Sequence, residues 1–334
     1  MKSEFDEAIS EFRDALKLNR NGRDTHLRLA WALMDKEEWD AAIDELRAAI
    51  QIHPDSAEAH NSLGVALAGK GERDDALAEY NTALRLNPNH AAAHRNIGLL
   101  LLQEGYLDRA ESALRDALRS APNYADAYGD LGVVLAKKGF LDDAIDAYRT
   151  AVWLQPRQAR AHYNLGNALC EKGDLDNAEC ELRAALNLKP DHINAHFVLG
   201  MVFCKKGDFR SAISELRSVL QLNSEDREAR FQLARMLVGQ GDLQNAIVEY
   251  QNLLRLDPDD ATSHYNLGLI FERKGDLKSA LEEYGRGAGL DPHGKVGAAA
   301  RVREESLAAE ARWGWIGRRL ARAGIIIVPA GSSR

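Results

Sequence analysis

Pro54, Pro88, Pro122, Pro156 and Pro190 stand 34 residues apart, and Pro258 and Pro292 resume the series after Ser224 replaces one member. A fixed period of this length means that one small unit recurs along the chain. Such a unit cannot bury its apolar face alone and closes its core only against its neighbours. The apolar 45% of the sequence is therefore expected as a long buried stripe rather than a ball.

With the proline counted as position 32, eight repeats run in register over residues 23–294, the first being 23–56 and the last 261–294. Position 20 is alanine every time, from Ala42 and Ala76 to Ala280. A larger side chain there is expected to force apart the two helices of a repeat. Position 8 is small throughout: Ala30, Gly64, Gly98, Gly132, Gly166, Gly200, Ala234 and Gly268. Glycine in a helix costs roughly 1 kcal/mol relative to alanine, so its recurrence predicts close approach of a neighbour. Position 7 is leucine or isoleucine, and position 24 alternates between leucine (Leu46, Leu114, Leu182, Leu216) and tyrosine (Tyr80, Tyr148, Tyr250, Tyr284).

Position 15 is Gly71, Gly105, Gly139, Gly173, Gly207, Gly241 and Gly275, which predicts a left-handed residue ending each first helix. The first repeat has Glu37 there, so its turn is expected to be strained or looser. Asp174, Asp208, Asp242 and Asp276 follow the glycines and are expected to cap the second helices. Together these positions resemble the tetratricopeptide repeat (TPR) family over residues 23–294. Ala161-His162-Tyr163-Asn164-Leu165-Gly166-Asn167-Ala168 is close to its consensus, and the repeats are also similar to those of O-GlcNAc transferases. The resemblance implies an all-α fold: an α-solenoid of helix–turn–helix repeats wound into a right-handed superhelix of about one turn.

The ends depart from the period. Residues 1–22 fit the second helix of a further repeat, with Ala8, Phe12 and Ala15 at positions 20, 24 and 27. Phe5, Ile9 and Phe12 are then expected to be partly exposed, and this open half-repeat offers a route to self-association. The glycines of segment 285–289 weaken the last second helix. Residues 295–334 read as a capping helix, with Leu307, Ala311, Trp315 and Leu320 on one face, followed by a basic and apolar tail. That segment carries a net charge of +5 in a chain of −8, leaving −13 for residues 1–294. A basic helix bearing Trp313 and Trp315 suits a capping element with a solvated face. It also allows contact with an anionic membrane, the only membrane contact the sequence offers. Ile325-Ile326-Ile327-Val328 is too short to span a bilayer.

The three cysteines and the lack of a long apolar run predict a cytoplasmic protein. Cys170 and Cys204 share position 12 and are expected to face the concave side. The acidic body disfavours nucleic acid. Histidine fills position 4 in six repeats: His26, His60, His94, His162, His196 and His264, with Tyr128 and Arg230 in the other two. Equivalent residues on packed helices lie roughly 8–10 Å apart, too far for ligands that must each approach one metal within about 2 Å. These histidines are read as packing groups whose protonation would weaken the stack. No catalytic arrangement, no metal site and no cofactor is implied, and the chain is read as a non-enzyme.

The resemblance places the concave surface at positions 2, 5, 6, 9, 12 and 13 of the first helices. Position 5 supplies an aromatic row in four repeats: Tyr163, Phe197, Phe231 and Tyr265. Asn96, Asn164 and Asn266 stand at position 6, where the family's peptide-binding members grip a ligand backbone, and Asn167 joins from position 9. Cations come from Arg95, Lys137, Arg160, Lys205, Arg235 and Arg273. Aromatic faces, amides and cations suit an extended peptide with acidic and apolar side chains. The same aromatic and amide positions also pack neighbouring helices in the family, so both roles stay open. No window fits the family's clamp for chaperone tails, because Tyr163 and Val198 occupy positions that the clamp needs as lysine and asparagine.

The expected function is a protein-interaction scaffold holding an extended segment of a protein partner in its groove. Two alternatives remain: a substrate-selecting or regulatory region of a larger enzyme such as a glycosyltransferase, and a membrane-peripheral assembly factor.

Overall fold

The structure, a computed structural model, describes the backbone of residues 2–19 and 22–322. Every element among them is a helix. The chain divides into two compact units, Met1–Lys189 and Pro190–Arg334. The division falls at a repeat junction, so each unit is a stack of helix–turn–helix pairs.

Unit 1 begins with α1 (Lys2–Leu18) and continues as the pairs α2 (Arg23–Asp35) with α3 (Trp39–Ile52), α4 (Ala57–Lys70) with α5 (Arg73–Leu86), and α6 (Ala91–Gln103) with α7 (Leu107–Ser120). The pairs α8 (Ala125–Lys137) with α9 (Leu141–Leu154) and α10 (Ala159–Lys172) with α11 (Leu175–Leu188) complete it. Unit 2 holds α12 (Ile193–Lys206) with α13 (Phe209–Leu222), α14 (Arg227–Gln240) with α15 (Leu243–Leu256), α16 (Ala261–Arg273) with α17 (Leu277–Leu290), and α18 (Lys295–Arg322). Each second helix stops two residues before position 32, since proline disfavours helix in the residue before it. α13 stops at Leu222, the equivalent place, although Ser224 stands where the others have proline.

The core is built as the period predicts. All eight position-20 alanines are 0% exposed. Position 8 faces the residue at position 24 of its own repeat. A methyl group on Gly132 would lie 2.5 Å from the Tyr148 ring, and one on Gly166 would lie 2.7 Å from Leu182 Cγ. At position 15 the glycines have φ between 77° and 93°, and Glu37 holds the same left-handed conformation at φ 61°. It is the only non-glycine with positive φ among the described residues. A non-glycine residue held there costs of order 1–3 kcal/mol, so the expected strain of the first turn is present.

Second-helix capping follows the expectation in unit 2. Asp208, Asp242 and Asp276 accept the backbone N–H of Ser211, Asn245 and Ser279 at 3.1–3.2 Å. Asp174 departs from it: its carboxylate accepts the Asn177 side-chain amide at 2.8 Å and caps no backbone N–H. First helices are capped from position 34, by Ser56, His90, His192, Asp226 and Asp260. His90 accepts the Ala93 N–H at Nδ1 and meets Glu58 through Nε2 at 3.1 Å. That bond holds the Glu58 carboxyl below its usual range.

The position-4 histidines do more than pack. In His26, His60, His162, His196 and His264, Nδ1 lies 2.6–2.7 Å from the glutamate at position 23 of the partner helix: Glu45, Glu79, Glu181, Glu215 and Glu283. In His60, His94, His162, His196 and His264, Nε2 also lies 2.9–3.1 Å from the carbonyl of the preceding position-32 proline. Arg230 makes both contacts with a different side chain, donating to Glu249 at 2.7 Å and to the Ser224 carbonyl at 2.6 Å. The two repeats with alanine at position 23, Ala113 and Ala147, are those with His94 and Tyr128 at position 4. One side chain thus ties a first helix to its second helix and to the turn before it. In His60, His162, His196 and His264 both ring nitrogens face acceptors.

The ends are more closed than the sequence suggests. Ile9 of α1 is 4% exposed, in one cluster with Leu29, Leu33 and Leu46, and Phe12 is half-buried against it. Phe5 lies outside the described side chains. α17 runs unbroken through Gly285, Gly287 and Gly289. Ala300 and Leu307 of α18 pack in a cluster with Ala280, Tyr284 and Ala288 of α17. The side chains of Ala311, Trp313, Trp315 and Leu320, and all of residues 325–328, lie outside the described residues. No helix among the described residues is long and apolar enough to cross a membrane.

Candidate peptide-binding surface

The candidate surface consists of the first helices, where Arg95, Tyr163, Phe197, Phe231 and Tyr265 at position 5 and Asn96, Asn164 and Asn266 at position 6 remain partly accessible, while Asn61, Ser62, Asp130 and Gln232 in the same rows are buried. In unit 1 the chain spends several of these groups on itself. Arg95 on α6 donates to the Asp130 carboxylate on α8 at 2.6 Å, and its guanidinium lies 5.6 Å from the Tyr124 ring centroid. Arg160 on α10 approaches the same carboxylate from the other side at 3.4 Å. Asp130 is 2% exposed, at the position 6 that carries asparagine in neighbouring repeats. Burial opposes the charge on Arg95, but Asp130 and Tyr124 outweigh it and hold the guanidinium more firmly protonated than usual. Gly129 beside it leaves open space, its nearest approach being Arg160 at 4.0 Å.

Asn96 donates to Asn61 at 3.0 Å, at position 5 of the preceding repeat. Asn167 donates to Glu171 at 3.0 Å. Tyr163 is half-buried, and burial pushes its hydroxyl up from its ordinary value, with Glu171 adding to the shift. Two groups stay open: the Asn164 amide has no hydrogen-bond partner among the described residues, and Lys137 is exposed without an ion pair.

In unit 2, Phe197, Phe231 and Tyr265 are half-buried. Phe231 packs edge-on against Tyr250, with ring centroids 5.9 Å apart, and Tyr265 lies 5.8 Å from Tyr284. The aromatic row therefore packs inward with one edge and shows the other. Lys205 and Arg235 are exposed; Arg235 donates to Gln232 at 3.0 Å. Asn266 has no hydrogen-bond partner among the described residues, and Arg273 makes one long contact, 3.5 Å to the Val238 carbonyl. Arg235, Asn266 and Arg273 line a single cavity of about 510 Å³. Val238, Tyr250, Leu269 and Ile270 form its apolar wall, and Glu272 and Arg303 complete it. Arg303 comes from α18, and no repeat pattern could have pointed to it. Cys170 is buried and Cys204 half-buried, both as thiols, which leaves little of Cys170 to offer a ligand.

The family models decide what this array is. A tetratricopeptide repeat model matches residues 61–125, 101–156, 130–193 and 197–253, and two others match 31–71 with 234–275, and 261–293. The chain belongs to the tetratricopeptide repeat family. Among solved structures, PilF of Pseudomonas aeruginosa is similar at 20% identity and TM-score 0.58 over 64% of this chain and 97% of that one. The Cut9–Hcn1 hetero-tetramer of the APC/C is similar at 19% identity and TM-score 0.56, over 85% of this TPR chain and 56% of that one. A monomeric mutant of IFIT1 with Gppp-AAAA is similar at 18% identity and TM-score 0.55, over 84% and 76%. At these identities the likeness is one of fold. No curated protein matches the chain by sequence.

Proposed function

We propose that this TPR protein is a non-catalytic scaffold that holds extended peptide segments of protein partners on the first-helix surface of its units. The observation that carries the reading is the pair of position-6 amides, Asn164 and Asn266, left without hydrogen-bond partners beside half-exposed aromatic rings. A primary amide offers donor and acceptor together, as an extended backbone requires. Tyrosine and phenylalanine add contact area at low entropic cost. In unit 1 the contacts assigned are Tyr163, Asn164, Asn167, Asn96 and Lys137, with Arg95 and Arg160 acting through Asp130. In unit 2 they are Phe197, Phe231, Tyr265, Asn266, Lys205, Arg235 and Arg273. The proposal includes a cytoplasmic setting, supported by the three cysteines being free thiols, one of them exposed.

The test is an affinity capture from source lysate with quantitative mass spectrometry. Wild type is compared with one variant carrying Tyr163→Ala and Asn164→Ala, and another carrying Phe197→Ala and Phe231→Ala. Circular dichroism first establishes that helicity is retained. Partners lost from a variant place binding on that unit's first helices. Identical partner lists from all three proteins would place binding elsewhere and end the proposal.

A further inference from the structure

The cavity of unit 2 has a charge pattern unlike the rest of the body. Residues 1–294 carry a net −13, yet Arg235, Arg273 and Arg303 converge on this cavity against a single carboxylate, Glu272. Glu272 is already engaged: it accepts the Tyr284 hydroxyl at 2.6 Å and faces Arg303 at 3.4 Å. Arg235 and Arg273 make no ion pair among the described residues, and Asn266 lies beside them without a partner.

We infer that this cavity receives the carboxylate side chain of an aspartate or glutamate in the bound peptide, with an adjacent aliphatic residue against Leu269 and Ile270. This deepens the peptide-scaffold proposal and rests on it. Guanidinium groups bind carboxylates as strong charge-assisted donors, and two unpaired ones leave room for one incoming anion. The volume, about 510 Å³, lies within the range of small-ligand pockets, roughly 300–1,000 Å³, and exceeds what one carboxylate needs. The surplus is walled by Val238, Leu269 and Ile270, which suits a neighbouring aliphatic side chain. A monoanion is favoured over a phosphate ester because Glu272 shares the cavity, and repulsion grows with the charge brought beside it. α18 takes part through Arg303, so the cap is also a wall of the site.

The experiment presents the full chain with an immobilised library of randomised ten-residue peptides, including phosphoserine among the building blocks. Peptides that bind are resynthesised with fluorescein, and each acidic position is changed to its amide. The inference predicts enrichment of Asp or Glu next to Leu, Ile, Val or Met. It predicts at least tenfold weaker binding for the amide peptide to wild type, and less than twofold discrimination in a variant carrying Arg235→Gln and Arg273→Gln. Both arginines are exposed, so the fold is expected to survive, and Asn266→Ala provides a second variant with no change of charge. Peptides that bind without any acidic preference, or a preference unchanged in the Arg→Gln variant, overturn the inference and leave the scaffold standing. Phosphoserine enriched over Asp and Glu overturns the choice of a carboxylate. No binding by any peptide removes the scaffold proposal and this inference with it.

Discussion

Single residues set the close packing of this protein, and position 8 shows how. A methyl group on Gly132 would press into the Tyr148 ring at 2.5 Å, whereas one on Gly200 would meet Leu216 Cγ at 3.3 Å. Gly132→Ala is therefore expected to destabilise by about 1–3 kcal/mol. Gly200→Ala is expected to be neutral or to gain up to about 1 kcal/mol of helix propensity. Urea denaturation of the two variants checks the contrast, and equal shifts would contradict it. Glu37→Gly is expected to raise stability by about 1 kcal/mol by relieving the left-handed turn. Burial also raises the hydroxyls of Tyr80, Tyr148, Tyr250 and Tyr284 above their ordinary value. A group raised on folding contributes stability fully present below its unfolded pKa, about 10, and lost as pH climbs toward the folded value. The unfolding free energy should therefore fall between pH 9 and 11, and a variant with phenylalanine at positions 80, 148 and 250 should fall less. Parallel pH curves for the two proteins would refute this.

At the scale of helices, the link between the pair and the turn before it was only half legible. The period, the buried alanines, the glycine turns and even the exception at Glu37 follow from counting residues in one frame. The staple from position 4 to position 23 spans 19 residues and two helices. It becomes visible only when helix geometry brings the two positions together. Its trace was nevertheless in the sequence, since position 23 is glutamate wherever position 4 is arginine, and alanine where it is tyrosine. Position 4 should therefore accept either histidine or arginine. His60→Arg is expected to stay within about 1 kcal/mol of wild type, because Arg230 already fills the same role. Glu79→Ala leaves the ring's Nδ1 without its acceptor and should cost about 1–3 kcal/mol. Thermal denaturation of both proteins decides it, and a costly His60→Arg with a neutral Glu79→Ala would reverse the account. The candidate site shows the same limit. Arg95 and Arg160 read as free groove cations, but they stand 35 and 30 residues from Asp130, offsets that juxtapose neighbouring first helices. In-frame counting lines up equivalent positions and misses these offset pairs.

For the molecule as a whole, the TPR family fixes the architecture and leaves the ligand to the residues that deviate from the common pattern. Those are Asp130 with its two arginines in unit 1, and the arginine-lined cavity against α18 in unit 2. The first uses the first-helix surface for internal cohesion; the second leaves cations and an amide uncommitted. The central claim is that peptide binds to first helices. Hydrogen–deuterium exchange of the full chain, with and without a library-selected ten-residue peptide, tests it most directly. The account predicts slowed exchange in first helices, strongest in α14 and α16, with the exposed faces of α13 and α15 unchanged. Protection confined to second helices, or absent while the peptide remains bound, would contradict it.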